Sequence, residues 1–129
     1  MTVSRRTAVT ALAALPLAAA CTPLTIKEPR NMYGLIGKMR AQPGQRDALI
    51  AILLEGTRAM PGCLSYVIAK DLGEPDALWI TEAWDSHESH KASLSLASVQ
   101  AAIGKGRPLI AGFGERFETE PVGGQGLAS

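Results

Sequence analysis

The chain has 129 residues, 13 of them basic and 12 acidic, with a formal net charge of +1. That length suits one domain and leaves little room for two. So even a balance leaves no electrostatic footprint for nucleic acid, and none is expected as a partner.

In chain order, residues 1–20 read as a secretory signal. Ser4-Arg5-Arg6 supplies a positive start, Ala8 to Ala20 is uncharged and almost wholly apolar, and Ala18-Ala19-Ala20 closes it with small side chains before Cys21. The run is too short to span a bilayer comfortably, which takes roughly 20 apolar residues. Arg5-Arg6 resembles a twin-arginine export signal. Leu17-Ala18-Ala19-Ala20-Cys21 resembles a lipobox, although Leu17 stands four places before the cysteine where three is usual. The expectation is an exported, periplasmic protein held to the membrane by lipid on Cys21, with simple cleavage after Ala20 as the alternative. Removing Arg5 and Arg6 with no acid takes the net charge from +1 to −1. If Cys21 is lipidated, Cys63 is alone, no internal disulfide forms, and the fold stands on its apolar core.

Residues 21–31, with Pro23 and Pro29, lack periodicity and read as a tether. Met32 to Met39 reads as a strand, broken by Gln42-Pro43-Gly44. A helix is expected from about Gln45 to Ala59, with Leu49, Ile52, Leu53 and Gly56 as its buried stripe. Gly56 weakens a helix relative to Ala, so a close approach to the sheet is expected there. Pro61 ends the helix. Cys63 to Lys70 forms a second strand, and Asp71 to Asp76 a polar hairpin connection. Ala77 to Trp84 is a third strand, with Leu78, Ile80, Glu82 and Trp84 on one face and Trp79, Thr81 and Ala83 on the other. Asp85-Ser86 offers a cap for a helix starting near His87. A further helical piece runs from about Leu96 to Lys105, stopped by Gly104 and Gly106, with Pro108 barring a restart. Phe113 to Thr119 makes the fourth strand, and residues 121–129 a loose tail.

The order strand, helix, strand, strand, helix, strand is the ferredoxin-like, split βαβ arrangement of an α+β fold, here spanning residues 32–120. Large apolar groups occur on both strand faces, Tyr66, Ile68, Ile80 and Trp84 against Val67 and Trp79. Two helices cover one face only, so a second copy is expected on the other, making a homodimer.

The stretch Met60-Pro61-Gly62-Cys63-Leu64-Ser65-Tyr66, with Trp79-Ile80-Thr81-Glu82-Ala83-Trp84-Asp85-Ser86, resembles the antibiotic biosynthesis monooxygenase family. Glu88-Ser89-His90 resembles that family's short helix with a histidine, and Ser98-Val99-Gln100 the start of its next helix. The resemblance covers about Met32 to Glu120. It implies a dimeric α+β barrel with a pocket between helices and sheet in each subunit. It also implies a monooxygenase that oxidises a quinol or other small aromatic with O₂, using neither metal nor flavin. Such an enzyme binds the ring, favours its ionised form and excludes water. The family also contains haem-degrading members.

Four residues stand out. His90 matches the family's helix position and is a candidate base or hydrogen-bond donor, while His87 at the helix start is expected in solvent. The two histidines lie three apart with no third ligand announced, so no metal is expected, and with no Gly-rich phosphate loop or flavin fingerprint no other cofactor is expected either. Glu82 is an acid in mid-strand, to be explained by structural pairing with Arg116 or Lys70 or by service as a base. Tyr66 and Trp84 share its face and are candidates to stack on a flat substrate. Cys63 reads as a small buried hydrophobe. A non-catalytic or stress-related module binding a small ligand is the competing reading. A haem-handling relative, supported only by the His pair, lies between the two.

Overall fold

The computed structural model describes residues 31–127. The expected signal segment, Cys21 and the tether up to Arg30 lie outside the described residues. The elements are β1 (Tyr33–Ala41), α1 (Arg46–Gly56), β2 (Cys63–Lys70), β3 (Ala77–Trp84), α2 (His87–Ser93), α3 (Ala97–Gly106), a 3-10 turn (Arg107–Leu109) and β4 (Ile110–Thr119). The strands form one antiparallel sheet in the order β2-β3-β1-β4. This is the α+β, ferredoxin-like split βαβ arrangement, with long connections returning the chain to a parallel strand that is not its neighbour. No helix among the described residues is long and apolar enough to cross a membrane.

Strand alternation sets the core. Leu78, Ile80 and Trp84 turn to the helices and are buried. Leu49 of α1 joins Ala41, Leu78 and Ile80 in one cluster; Met60, Trp84 and Val99 form a second. Full burial of such a side chain contributes about 1.5–3 kcal/mol. Gly56 has a different neighbour from the one expected. A methyl group there would collide with Cβ of Ala102, so the close approach is between α1 and α3, not between α1 and the sheet.

Two boundaries move for local reasons. α1 stops at Gly56, short of Ala59; at its end the Thr57 amide makes the last i→i−4 bond to the Leu53 carbonyl at 3.1 Å, and the Thr57 hydroxyl donates to the same oxygen at 2.7 Å. Gly104 lies inside α3, and Pro108 sits in the first turn of the 3-10 segment, where its missing N–H is no loss. β4 therefore starts at Ile110, opposite Ala41, three residues before Phe113. Gly62 adopts φ +82°, and a side chain there would strike Ser89, so the turn into β2 lies directly under α2. Ser86 caps α2 by accepting the Ser89 amide at 3.1 Å.

The β2–β3 hairpin is tied down by charge. Nη1 of Arg46 donates to the carbonyls of Asp71, Glu74 and Ala77, each at 3.1 Å. On the sheet's outer face Lys38 contacts Glu74 at 2.6 Å and Asp71 at 3.5 Å, and lies over the Trp79 ring. Val67 and Phe117 on this face are exposed. Beyond Thr119 the chain forms neither helix nor strand up to Leu127, and Pro121 lies against Gly34.

Candidate functional site

Between the sheet's inner face and helices α1 and α3 lies a chamber of about 720 Å³. Its floor follows from the register. Tyr66, Glu82, Leu35 and Glu118 are successive cross-strand partners in one row. Ile68, Ile80, Gly37 and Arg116 form the next. Gly37 lines an adjoining pocket of about 230 Å³ that shares Leu35, Met39, Ile80, Glu82 and Arg116 with the chamber; an added Cβ there would meet nothing within 4 Å, so the absence of a side chain leaves that part of the floor open. Leu49 and Leu53 of α1 with Val99 and Ile103 of α3 form the apolar roof.

Glu82, His90 and Arg116 come together in one part of the chamber, and Thr57 and Arg107 also line it. His90, one turn into α2, reaches the chamber beside Glu82. Its Nε2 lies 3.7 Å from Glu82 Oε2, and both side chains are nearly buried, at 12% and 11% exposure. Nδ1 of His90 is buried with no hydrogen-bond partner among the described residues. Burial, helped by the His87 and Arg116 charges, lowers the His90 pKa, so the imidazole is neutral and able to accept a proton at neutral pH. Burial raises the Glu82 pKa, against the hydrogen bond from Trp84 and the charge of Arg116. Burial likewise pushes the Tyr66 phenol up, keeping it protonated.

Three of the four sequence candidates, Tyr66, Glu82 and His90, thus line one chamber. Trp84 does not. It is 1% exposed and sits behind the wall, with Nε1 donating to Glu82 Oε2 at 2.8 Å. Glu82 pairs with neither of the cations expected of it. Lys70 reaches Asp47 at 2.9 Å, and Arg116, one row along the sheet, stands 3.7 Å from Glu118. His87 is exposed and packs against Tyr33 in a tilted arrangement, with ring centroids 4.3 Å apart. No group of three His, Cys, Asp or Glu side chains among the described residues is placed to hold a metal. Cys63 is only partly buried, against Trp84, and burial raises its pKa.

The sequence reading missed Gly37 and the part played by Arg116. A glycine inside a strand marks a place where something approaches closely, and that signal was present. Arg116 gave none, because a register shift between Gly37 and Met39 turns both Phe113 and Arg116 to the chamber although they lie three apart.

The family model for antibiotic biosynthesis monooxygenase matches residues 32–105. A Chloroflexus aurantiacus crystal structure assigned to the same monooxygenases is 73% identical, with a TM-score of 0.73, covering 75% of this chain and 99% of that one. A Caulobacter crescentus structure of the same assignment is 20% identical with a TM-score of 0.66, covering 74% and 93%. A Pseudomonas aeruginosa protein is 18% identical with a TM-score of 0.64, covering 74% and 98%; these last two establish the fold alone. No match is found among curated proteins.

Proposed function

This chain belongs to the antibiotic biosynthesis monooxygenase family, and on that premise we propose that it oxidises a quinol or similar small aromatic with O₂ in the chamber beside Glu82 and His90. The observation that carries this reading is the pairing of a large, mainly apolar cavity with one acid, one neutral imidazole and the Arg116 charge acting on both. Apolar walls with a few convergent polar groups suit a flat, weakly acidic ring.

In this reading His90 takes the proton of a ring hydroxyl, and Glu82 stabilises the imidazolium that results. Arg116 favours the phenolate by its charge. The phenolate gives one electron to O₂, and the two radicals combine at an unsubstituted ring carbon as a hydroperoxide. Loss of the proton on that carbon breaks the O–O bond, leaving a carbonyl and a hydroxide that takes a proton to become water. A quinol and O₂ thus give a hydroxyquinone and water, with both electron pairs supplied by the ring. No added reductant enters the balance. The apolar roof keeps water from the roof side of the charged intermediates. Exposed Val67 and Phe117 support a second copy as the cover of the outer face. Export and a lipid on Cys21 remain part of the proposal.

The test is O₂ uptake by the purified mature protein against a panel of quinols, with Gly37→Leu as the control. The leucine fills open floor, so it is expected to abolish uptake while leaving the unfolding transition in place. Tight quinol binding without uptake by the unaltered protein would instead identify a ligand-binding module.

A further inference from the structure

Trp84 is fully buried and forms no part of the chamber wall, so it cannot stack on a ligand there. Its contacts point to another role. The indole N–H donates to Oε2 of Glu82 at 2.8 Å, and that same oxygen lies 3.7 Å from Nε2 of His90. The Trp84 ring also stands edge-on to the His90 imidazole, with centroids 5.5 Å apart and planes at 74°. One side chain therefore touches both members of the pair from behind. The spacing makes this possible, because residues two apart on a strand share a face.

Resting on the acid–base reading of Glu82 and His90, we propose that Trp84 is a positioning residue whose indole N–H holds the Glu82 carboxylate toward His90, so that the two work as one proton-handling unit. A glutamate's terminal torsion is broad and roughly two-fold, so an untethered carboxylate would swing. Trp84 is its one direct hydrogen-bond donor among the described residues. A hydrogen bond to the charged form also favours that form against desolvation. The groups facing the pair from other elements do not replace it. Tyr66 and Cys63 of β2 are neutral neighbours, and Tyr33 of β1 packs on the His90 ring. His87, Arg116 and Glu118 act on His90 through charge, and Arg116 acts on Glu82 in the same way.

The chain has two tryptophans and two histidines, which makes an NMR test direct. In the unaltered protein, the Trp84 indole N–H resonance is expected to move with pH in step with the Glu82 carboxyl carbon, and to lose that movement in Glu82→Gln. The Trp79 indole, which donates to Asp71 at 2.7 Å, is the internal reference. In Trp84→Phe, which keeps a ring and loses the donor, the Glu82 midpoint is expected to rise by about one pH unit, the scale of one lost hydrogen bond. A Trp84 resonance flat through the Glu82 titration, or a Glu82 midpoint unchanged in Trp84→Phe, overturns the proposal. The first measurement decides even if Trp84→Phe fails to fold. Where quinol-driven uptake is present, the acid limb of kcat/KM moves upward with the midpoint while KM stays put. If the unaltered protein consumes no O₂ with any quinol, the functional reading fails, and the titrations still decide what Trp84 does.

Discussion

Two indoles in this fold donate to carboxylates, with opposite results. Trp79 Nε1 reaches Asp71 at 2.7 Å, and Trp84 Nε1 reaches Glu82 at 2.8 Å. At the hairpin, Asp71 is held down to about 2 by Trp79, the amides of Gly73 and Glu74, and the Lys38 charge. Glu74 beside it is held down to about 2 by Arg40 and Lys38. In the chamber, Glu82 goes the other way, because burial outweighs its single donor and the more distant Arg116. The same hydrogen bond thus finishes an ion network on the sheet's outer face and only moderates a desolvated acid on its inner one. Carboxylates with surplus donors serve structure, whereas a desolvated one with a single donor is poised to exchange a proton.

The sharpest way to separate the two regions is to neutralise one acid in each. Glu82→Gln is expected to lower quinol-driven O₂ uptake by about 10²-fold, the low end for general-base catalysis, because His90 keeps the proton without its counter-charge. Glu74→Gln is expected to leave uptake unchanged and to weaken the hairpin. Equal loss of activity in both variants would erase the contrast. A smaller effect, on stability alone, is expected from Arg46→Met. One nitrogen of that guanidinium serves three hairpin carbonyls, and partners left unsatisfied bring the loss to about 3 kcal/mol, read from urea unfolding. An unfolding midpoint within error of the unaltered protein would show that water replaces the guanidinium at no penalty.

How far the sequence foretold this contrast depends on what each residue's neighbours are. β2 and β3 fall where alternation and turn residues put them, Cys63–Lys70 and Ala77–Trp84, because local chemistry at Gly62 and around Gly73 bounds both strands. Tyr66, Glu82 and His90 were legible as a group, two from strand parity and one from the family's helix position. The place of Trp84 behind the wall was not, since parity gives a face and not a depth. α1 ends at Gly56, with the Thr57 hydroxyl on the Leu53 carbonyl, and the start of β4 follows a 3-10 turn that accepts Pro108. Neither leaves a periodic signal. The partner of Glu82 was misjudged because charge pairing read from sequence ignores rows. Arg116 is level with Gly37, and Lys70 with Leu78.

The finest difference between the two regions is in how each makes stability depend on pH. Asp71 and Glu74 have folded values of about 2 against ordinary values of 3.8 and 4.5. Depressed acids stabilise the fold above their ordinary values, and that contribution is lost as pH falls through the folded ones. Acidification from about pH 4.5 to 2 should therefore steadily lower the urea midpoint, and Glu74→Gln should flatten that slope. His90, lowered from 6.5, adds a loss that begins higher, since the unfolded chain takes that proton first. Glu82 has the opposite sign. Its raised value means the folded protein holds the proton longer as pH rises, so its carboxyl opposes folding once ionised. Glu82→Gln is then expected to be modestly more stable than the unaltered protein at neutral pH, while Glu74→Gln is less stable there. A Glu82→Gln protein that is less stable at neutral pH would mean that the ionised carboxylate supports the fold as the hairpin acids do, and the distinction between the two indoles would collapse.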